Sequence, residues 1–348
     1  MNEYHIPAML QETIDGLKIQ PNGVYVDVTF GGGGHSAAIL DKLQKKKQET
    51  RNKKQETRNE KQETGNKKRE TRNEKQETGK LFSFDQDIEA FENAKINRPQ
   101  VVNNPQWQFV HSNFRYLRNF MDYYKVNAID GLIADLGVSF HHFDTAERGF
   151  SFRFEGPLDM RMNQAGGLTA ADIVNTYSEE QLANIFYLYG ELKNGKQLAR
   201  KIKEATGNRR QATGDKIQRI EELVQVLIGK KAEEANPMEK KMLTLAFQAL
   251  RIEVNDELGA LREMLCAARD LLAPGGRIAI LTYHSLEDRI VKNFLRSGNL
   301  EGEIQKDFYG NILTPFTIIE KGLTASQEEV ERNPRSRSAK LRVAVKKV

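Results

Sequence analysis

Cysteine is nearly absent from this chain, and its scarcity excludes two classes of protein. The 348 residues include one cysteine, Cys266, so neither a disulfide framework nor a cysteine-rich zinc site can form. No run of about 18 apolar residues occurs, and the start MNEYHIPAML lacks the basic and then apolar pattern of a signal peptide. These absences predict a soluble, cytoplasmic protein with no membrane association.

Outside a single segment, the chain also lacks a large excess of basic or of acidic side chains. The chain has 53 Lys and Arg against 48 Asp and Glu, a net charge of +5. Residues 47–79 contribute 11 basic and 7 acidic side chains, a net +4, which leaves +1 for the rest. Whole-chain charge is therefore weak evidence for binding to nucleic acid.

Residues 47–79 repeat a seven-residue pattern, as in KQETRNK and KQETRNE, with no apolar side chain. A coiled coil with this period needs an apolar seam, and none exists here. We interpret the segment as a solvated insertion, either disordered or a fraying helix. A nucleic-acid-binding arm is the alternative, because the segment is basic.

Residues 25–40, YVDVTFGGGGHSAAIL, are the stretch around which the fold can be built. The first six alternate like a short buried strand, four glycines follow, and His35 opens a helical run. Bare backbone N–H groups and a positive helix end would face a ligand there, and Asp27 could accept a hydrogen bond from it. The alternative is a tight turn that needs glycine only for its backbone angles. A dinucleotide fingerprint fits less well, because Ser36 occupies the position of its third glycine.

Residues 80–84 predict a second strand, which ends at Asp85. An acidic residue at this point of a βαβ nucleotide site binds ribose hydroxyls, about 20 residues after the glycine loop. From Gly33 to Asp85 the distance is 52 residues, or 19 once the 33 residues of the repeat are set aside. Asp85 is therefore a candidate ribose ligand, with a helix cap as the alternative.

Three further strands are predicted, at residues 107–110, 129–136 and 277–283, and residues 338–345 alternate like a closing strand. The strand at 129–136 would deliver Asp135 to the carboxyl edge of a parallel sheet, where ligands bind. Residues 169–246 have helical spacing, with a capped helix starting at Ser178, and residues 245–272 predict one long helix. Ser285 and Asp288 resemble a capping box. We therefore expect an α/β sheet with helices on both faces and a helical insertion.

At this point the chain resembles the RsmH (MraW) family over nearly its whole length except the repeat. The resemblance rests on the motifs VDVTFGGGGHS, IDGLIADLGVS, ERGFSF, GPLDMRM, FQALRIEVNDEL, APGGR, YHSLEDRIVK and NPRSRSAKLR, in that order. It implies a class I, Rossmann-like S-adenosylmethionine-dependent methyltransferase with an inserted all-helical substrate-recognition subdomain. The expected parts are the methyltransferase core at 1–138, the active-site loop and helical insertion at 139–246, and the rest of the core with a basic tail at 247–348.

The resemblance also implies a substrate, the exocyclic N4 of a cytidine in 16S ribosomal RNA. The expected partner is this RNA within an assembled or nearly assembled 30S subunit, with no DNA and no membrane. A homodimer is one state that the sequence allows.

By resemblance, S-adenosylmethionine contacts fall on seven positions, which are Gly33, Gly34, His35, Asp85, Phe114, Asp135 and His142. His142 stands where the family has a glutamine, and Phe140 replaces a serine of the same motif. An imidazole can donate or accept one hydrogen bond per nitrogen, in a geometry unlike that of an amide.

The chemistry of cytosine N4 sets a further requirement. Its lone pair is delocalised into the ring, so an acceptor must hold the amine protons and take up the one that is lost. Asp135 is the first candidate for this catalytic role, with cofactor binding alone as the alternative. His284 is the second, unless it only positions the helix that follows. His141 and His142 lack the other ligands of a metal site, so no metal is proposed.

Contacts to RNA are expected from local groups. Arg148, Arg153 and Arg161 lie in a loop in which Phe150 and Phe152 could stack on an extruded base. A basic cluster in the tail could hold phosphates; it comprises Arg332, Arg335, Arg337, Lys340 and Arg342. Solvated arginines and core phenylalanines are the alternative interpretation.

Two rival activities lack their residues. A DNA amino-methyltransferase would carry a D/S/N-P-P-Y/F tetrapeptide where this chain has Asp135-Leu136-Gly137-Val138. A cytosine deaminase needs cysteine and histidine zinc ligands. A non-catalytic RNA-binding protein that keeps S-adenosylmethionine stays open, as does an amino-methyltransferase acting on another nucleic acid.

Overall fold

The computed structural model describes residues 7–45, 79–207 and 216–348. The interpretation of the seven-residue repeat therefore concerns residues outside the described ones, apart from Gly79. By packing, the chain divides into a unit of residues 6–137 and 261–348, here the sheet unit, and a unit formed mainly by residues 138–260, here the helical unit. The expected insertion at 139–246 falls within the helical unit, which also takes in residues 247–260. The division expected from the sequence stays a prediction.

The sheet unit contains one seven-stranded sheet. Its strands are β1 (Val24–Asp27), β2 (Lys80–Asp85), β3 (Trp107–His111), β4 (Ile129–Asp135), β5 (Leu272–Thr282), β6 (Phe316–Thr324) and β7 (Lys340–Lys346). They lie in the order β3-β2-β1-β4-β5-β7-β6, with the first five parallel and β7 antiparallel to both neighbours. This sheet confirms the predicted α/β class. Strand β6 was not predicted from the sequence.

Helices cover both faces of this sheet. They are α1 (Leu10–Leu17), α2 (residues 34–45), α3 (Ile88–Asn97), α4 (Pro99–Val102), α5 (Leu117–Tyr123), α12 (Glu257–Leu271, which begins in the helical unit), α13 (Ser285–Ser297) and α14 (Gln327–Arg332). Successive side chains of a strand point to opposite faces. Tyr25 accordingly joins an apolar cluster with Ile39 of α2, whereas Val26 joins one with Phe294 of α13.

The helical unit is built from α6 (Phe140–Asp144), α7 (Ala170–Thr176), α8 (Glu179–Leu188), α9 (Gly195–Ala205), α10 (Ile220–Ile228) and α11 (Pro237–Asn255). Its described residues include no strand, only an isolated bridge between Pro157 and Arg219. Capping boxes begin α7, at Thr169 and Asp172, and α8, at Ser178 and Gln181. The start of α8 predicted at Ser178 is therefore confirmed.

Two local predictions are wrong. The helix expected at 245–272 is two helices, because Asp256 adopts a left-handed conformation with φ 45° between α11 and α12. The capping box of α13 is formed by His284 and Glu287, not by Ser285 and Asp288.

No helix among the described residues combines the length and the apolar character that crossing a bilayer requires.

Candidate active site

The glycine loop connects β1 to α2 at the carboxyl edge of the sheet. Gly31 and Gly33 have φ of +49° and +71°, a region that L side chains rarely adopt. A Cβ on Gly33 would lie 2.9 Å from the ring of Phe30, and one on Gly34 would lie 2.7 Å from Pro7. Tight-turn geometry therefore explains these glycines, while their contact with a cofactor stays a prediction.

Asp27 is engaged inside the protein, and the hydrogen bond to a ligand that its position indicated stays a prediction. It is completely buried, accepts a 2.6 Å hydrogen bond from the Ser36 hydroxyl and a 3.1 Å bond from the Thr29 N–H. The Ser36 hydroxyl also bonds that of Ser83, to which Trp107 Nε1 donates. Asp27 thus ties the first turn of α2 to the strands beneath it.

Asp85 closes β2 beside this loop. Its Oδ2 accepts a 2.8 Å hydrogen bond from the Gly31 N–H, and its Oδ1 accepts one of 2.9 Å from the Asp87 N–H. The helix-cap alternative is wrong, because the residue that caps α3 is Asp87, which accepts from the Glu89 N–H. Each carboxylate oxygen of Asp85 keeps a second lone pair for the hydroxyls of a ribose.

Asp135 ends β4 on the other side of the loop. The Tyr283 hydroxyl donates to its Oδ1 at 2.6 Å, and its own N–H donates to the Thr29 hydroxyl, also at 2.6 Å. Its Oδ2 lies 3.7 Å from His35 Nδ1. Tyr283 therefore holds the carboxylate through Oδ1, Thr29 holds the backbone of the same residue, and Oδ2 is the oxygen not bound by Tyr283.

Tyr283 was missed as a site residue when the sequence was read. It lay within the predicted strand 277–283, where a tyrosine counts as an ordinary β-former. Its role follows from the register of β4 and β5, in which Leu281 pairs with Asp135 in parallel. A side chain two residues beyond Leu281 can then reach past the end of β4.

Three carboxyl groups at this edge have raised pKa values. Burial raises the pKa of Asp27 to about 6 and that of Asp85 and Asp135 to about 7, and repulsion by Asp27 adds to both larger shifts. Hydrogen bonds from Ser36, Asp87 and Tyr283 oppose the respective shifts. A ligand that brings positive charge would stabilise the ionised forms. S-adenosylmethionine carries a positively charged sulfonium group and an ammonium group, so these carboxyl groups fit it.

Phe114 follows β3 and begins a 3-10 helix, Phe114–Tyr116. It packs against the same apolar cluster as Phe84 of β2. Because β3 and β2 are parallel neighbours, with Asp85 paired to His111, the residue lies along the edge that carries Asp85. The structure thus brings Phe114, Asp85, the glycine loop and Asp135 to successive strand ends, and their cofactor contacts stay predictions.

His284 begins α13 directly after β5. Its Nδ1 faces the Glu287 N–H at 3.5 Å and its Nε2 lies 3.2 Å from Glu287 Oε1, while Glu287 Oε2 accepts from the Tyr283 N–H at 2.9 Å. The ring is engaged at the start of its own helix. This arrangement favours the positioning alternative, and the catalytic role of His284 stays a prediction.

His142 belongs to the helical unit. It lies on α6, is buried, and stacks on Phe150 with ring centroids 4.8 Å apart. Its contact with the cofactor stays a prediction.

Two residues proposed for RNA binding in the loop are buried. Arg148 is 2% exposed and donates to the carbonyls of Arg161 and Met162, and Phe150 is 4% exposed. In this conformation Arg148 cannot contact RNA, and Phe150 cannot stack on an extruded base. Arg161 forms a bidentate pair with Asp159, whereas Arg153 is exposed.

The tail cluster is divided in the same way. Arg342 is buried against Asp288, and Arg332 pairs with Glu329. Arg335 and Arg337 are exposed, and Lys340 is half-exposed, 3.8 Å from Asp288. Of the five, Arg342 is therefore the one whose charge is withdrawn from the surface.

The sheet order and the residues at its carboxyl edge define a class of protein, the class I, Rossmann-like S-adenosylmethionine-dependent methyltransferases. The chain matches the sequence model of the MraW methylase family over residues 2–72 and 64–347. It therefore belongs to the MraW methylase family, and the resemblance found in the sequence is confirmed.

Two relatives of known name agree with this assignment. A protein of Phocaeicola vulgatus named Ribosomal RNA small subunit methyltransferase H is 51% identical over 346 residues, 99% of this chain and 98% of that protein. One of Bacteroides thetaiotaomicron with the same name is 50% identical over 345 residues, with the same coverage. A solved rRNA methylase from Streptococcus thermophilus is 12% identical, covers 99% of both chains and has a TM-score of 0.38.

Proposed function

We propose that this chain transfers a methyl group from S-adenosylmethionine to the exocyclic N4 of one cytidine in the decoding centre of 16S ribosomal RNA. The names of the relatives above support small-subunit ribosomal RNA as the substrate. The observation that carries the reaction is the fixed carboxylate of Asp135 at the carboxyl edge of the sheet, beside the glycine loop.

Asp135 has the properties of the acceptor that N4 requires. When bound, S-adenosylmethionine supplies an electrophilic methyl group. Tyr283 holds Oδ1 of Asp135, so Oδ2 is left to accept a hydrogen bond from the N4 amine. This bond would turn the lone pair of N4 toward the methyl group. A carboxyl with a pKa of about 7 can take up the proton that N4 loses.

The remaining residues bind and orient. Asp85 would accept hydrogen bonds from the ribose hydroxyls, and its two backbone donors keep the carboxylate in place. The first turn of α2 would offer its positive end to the cofactor, and Asp27 holds that turn through Ser36. Phe114 would border the adenine.

We further propose that the substrate is the RNA within an assembled or nearly assembled 30S subunit, where the target base and its surroundings are positioned. Because this substrate is ribosomal, the enzyme is expected to act in the cytoplasm. A homodimer is compatible with this function and would be detected by sedimentation.

Methyl transfer from labelled S-adenosylmethionine to purified small subunits tests the proposal, with free ribosomal RNA and duplex DNA as parallel substrates. We expect label in small subunits, mapped to one N4-methylcytidine, and none in DNA. Cofactor binding without transfer to any substrate would instead indicate a non-catalytic RNA-interaction protein. Transfer to DNA would indicate an amino-methyltransferase with another substrate.

A further inference from the structure

Glu287 is a buried acidic residue in the first turn of α13, the helix that follows β5. Its side chain is 3% exposed, whereas that of Glu239, at the same position of the α11 capping box, is 26% exposed. Each side chain accepts a hydrogen bond from the N–H of its capping residue, which is His284 for α13 and Asn236 for α11. Burial of a carboxylate costs free energy that capping alone does not require. We therefore expect Glu287 to have a second role.

The carboxylate of Glu287 also contacts the residue before the helix cap. Its Oε2 accepts a 2.9 Å hydrogen bond from the Tyr283 N–H, which is shorter than the 3.4 Å bond from the His284 N–H. Its Oε1 lies 3.2 Å from His284 Nε2. One side chain thus holds both residues that connect β5 to α13.

Helix α13 gives this contact a fixed base. Val291 and Phe294 of the helix belong to the apolar cluster that includes Val26 of β1. Hydrogen bonds within the helix fix its first turn relative to these buried residues. The main chain of Tyr283 is therefore held on one side by β5 and on the other by Glu287.

The Tyr283 side chain leads from this connection to the carboxylate of Asp135. Its ring lies beside Gly137, where an added Cβ would be 3.6 Å from Tyr283 Cδ2, and its hydroxyl donates to Asp135 Oδ1 at 2.6 Å. Only two side-chain torsions separate the rigid ring from the main chain. A displacement of the main chain at Tyr283 would therefore move the hydroxyl away from Asp135.

We propose that Glu287 is a positioning residue for methyl transfer, which holds the Tyr283 main chain so that the Tyr283 hydroxyl fixes the Asp135 carboxylate. This role rests on the proposed function, in which Asp135 accepts a hydrogen bond from N4. Glu287 acts on the transfer site through Tyr283 and not by contact with the substrate.

Glu287 also affects Asp135 through its charge. Burial raises the pKa of Asp135 to about 7, the hydrogen bond from Tyr283 lowers it, and repulsion by Asp27 and Glu287 raises it. The reach of the Glu287 side chain, which maintains the Tyr283 bond, and its negative charge therefore shift this pKa in opposite directions. A variant that changes only one of the two can be recognised by the direction of the shift.

Other ionisable groups face the same pair of residues. His35 of α2 lies 3.7 Å from Asp135 Oδ2, and Asp27 of β1 repels the Asp135 carboxylate. Burial, the Asp135 carboxylate and, more weakly, Glu329 of α14 raise the pKa of Tyr283. The variants below leave the groups on β1, α2 and α14 unchanged, so their effects are common to every comparison.

Glu287→Gln and Glu287→Asp separate the reach of the side chain from its charge. Glutamine keeps an acceptor at the distance of the Tyr283 N–H and removes the charge. Aspartate keeps the charge but is one methylene shorter. Asp172 shows, in the capping box of α7, that this length still reaches the N–H of a capping residue, so both variants keep a cap on α13. Glu239→Gln and Glu239→Asp are the matched controls at α11.

The first readout is the pKa of Asp135 in the protein without ligands, taken from the pH dependence of the carbon-13 carboxyl resonance that Asp135→Asn removes. Glu287→Gln should lower this pKa, because a repelling charge is lost. Glu287→Asp should raise it, because the Tyr283 hydroxyl is no longer held. Tyr283→Phe should raise the pKa in the wild type and in Glu287→Gln, and by less than half as much in Glu287→Asp. The Glu239 variants should leave it unchanged.

The second readout is the single-turnover rate with small subunits at saturating S-adenosylmethionine, at a pH above the pKa of Asp135. Glu287→Asp should lower this rate roughly 10-fold, because misplacing a group at the reacting centre by about 1 Å can cost about 10²-fold. Glu287→Gln should keep most of the wild-type rate, since it keeps the bond to the Tyr283 N–H.

The proposal is overturned if the Asp135 pKa does not move in opposite directions in the two Glu287 variants, or if Tyr283→Phe has an equal effect in all three backgrounds. An unchanged rate in Glu287→Asp would equally contradict it and leave Glu287 as a helix cap. The carbon-13 measurement needs no RNA, so its outcome is separate from that of the proposed function. A wild-type protein that methylates no small subunit contradicts the function, whereas opposite pKa shifts would still support the positioning role.

Discussion

At the scale of single residues, Asp135 is where cofactor binding and chemistry must be distinguished. Its carboxylate could contact the cofactor, hold the N4 amine, or do both. The variant Asp135→Asn keeps the shape of the side chain and removes its negative charge. That charge stabilises N4 more strongly as N4 becomes positive in the transition state. An effect on the transition state and an effect on the ground state can then be separated.

We expect Asp135→Asn to lower the single-turnover rate by about 10²-fold or more, on the scale of general base catalysis, with little change in cofactor Kd. The measurement is transfer to small subunits with S-adenosylmethionine well above its measured Kd. Asp122→Asn, on the surface of α5, is the matched control. Recovery of the wild-type rate at saturating cofactor would rule out the catalytic role.

Tyr283 should set the pH at which Asp135 works. Its hydroxyl lowers the pKa of Asp135, against the larger effect of burial. Tyr283→Phe removes that bond, so the pKa of Asp135 should rise and the acid limb of kcat/KM should move to higher pH. Tyr25→Phe makes the same change at a buried hydroxyl bound to the Gln20 N–H and should leave the profile in place. Superimposable profiles for wild type and Tyr283→Phe would contradict this role.

Asp85 should control cofactor affinity. Asp85→Ala is expected to weaken S-adenosylmethionine binding by about 1–3 kcal/mol, the scale of hydrogen bonds to a charged group. In the wild type, affinity should fall as the pH drops through about 7, since the carboxyl then becomes protonated. Calorimetry at several pH values measures both effects, and unchanged affinity in the variant would remove Asp85 from the site.

The raised pKa of Asp85 also predicts how stability depends on pH. The sign of the effect is opposite to that of a carboxylate whose pKa is lowered by an ion pair. Protonation is favoured in the folded protein, so Asp85 should lower the free energy of unfolding as the pH rises from about 4 to about 7. Asp85→Asn should therefore be the more stable protein at pH 8 without cofactor, and lose that advantage below pH 4.

At the scale of elements, the capping box of α7 offers a contrasting case. Asp172 accepts from the Thr169 hydroxyl and N–H at 2.7 and 2.9 Å, and these bonds lower its pKa. Its stabilising effect should be present above pH 4 and disappear as the pH falls through the lowered pKa. We expect Asp172→Ala to reduce the free energy of unfolding by about 1 kcal/mol at pH 7, in denaturant titrations. An equal reduction at pH 2.5 would argue against the carboxylate.

Elements with an unbroken pattern were predictable, and those shaped by tertiary contacts were not. Strands β1, β2 and β4 alternate or are largely apolar and end at aspartate, so their sequence indicated both the strand and a candidate site residue. Strand β6 was missed because two register shifts interrupt its alternation and Glu320 and Lys321 lie within it. The break at Asp256 has neither glycine nor proline to signal it. Tyr283 and the His284 cap depend on the register of β5, which the sequence does not contain.

At the scale of the whole molecule, the seven-residue repeat should be dispensable. Leu43 lies beside Gly79, and a Cβ at Gly79 would meet Leu43 at 2.9 Å and the Pro21 carbonyl at 2.8 Å. Leu43 of α2, four residues before the repeat, is thus close to Gly79, and Gly79 itself has to be kept.

Replacement of residues 47–78 by a short Gly/Ser linker should leave the melting temperature and the cofactor Kd unchanged, because a shorter loop costs less closure entropy. Differential scanning calorimetry and titration calorimetry check this. A melting temperature lower by more than a few degrees would mean that the repeat packs on the protein. Selective loss of RNA affinity would favour the basic arm.

The position of β7 has a consequence for the order in which the chain is made. This strand is the last of the described sequence, yet it lies between β5 and β6 and pairs with both. During synthesis, β5 therefore leaves the ribosome with one edge unpaired, and β6 has no partner strand until residues 340–346 follow. An open strand edge is a template for association with other chains. A ribosome stalled before residue 340 should consequently carry a nascent chain that depends on chaperones, although most of its apolar residues have already emerged.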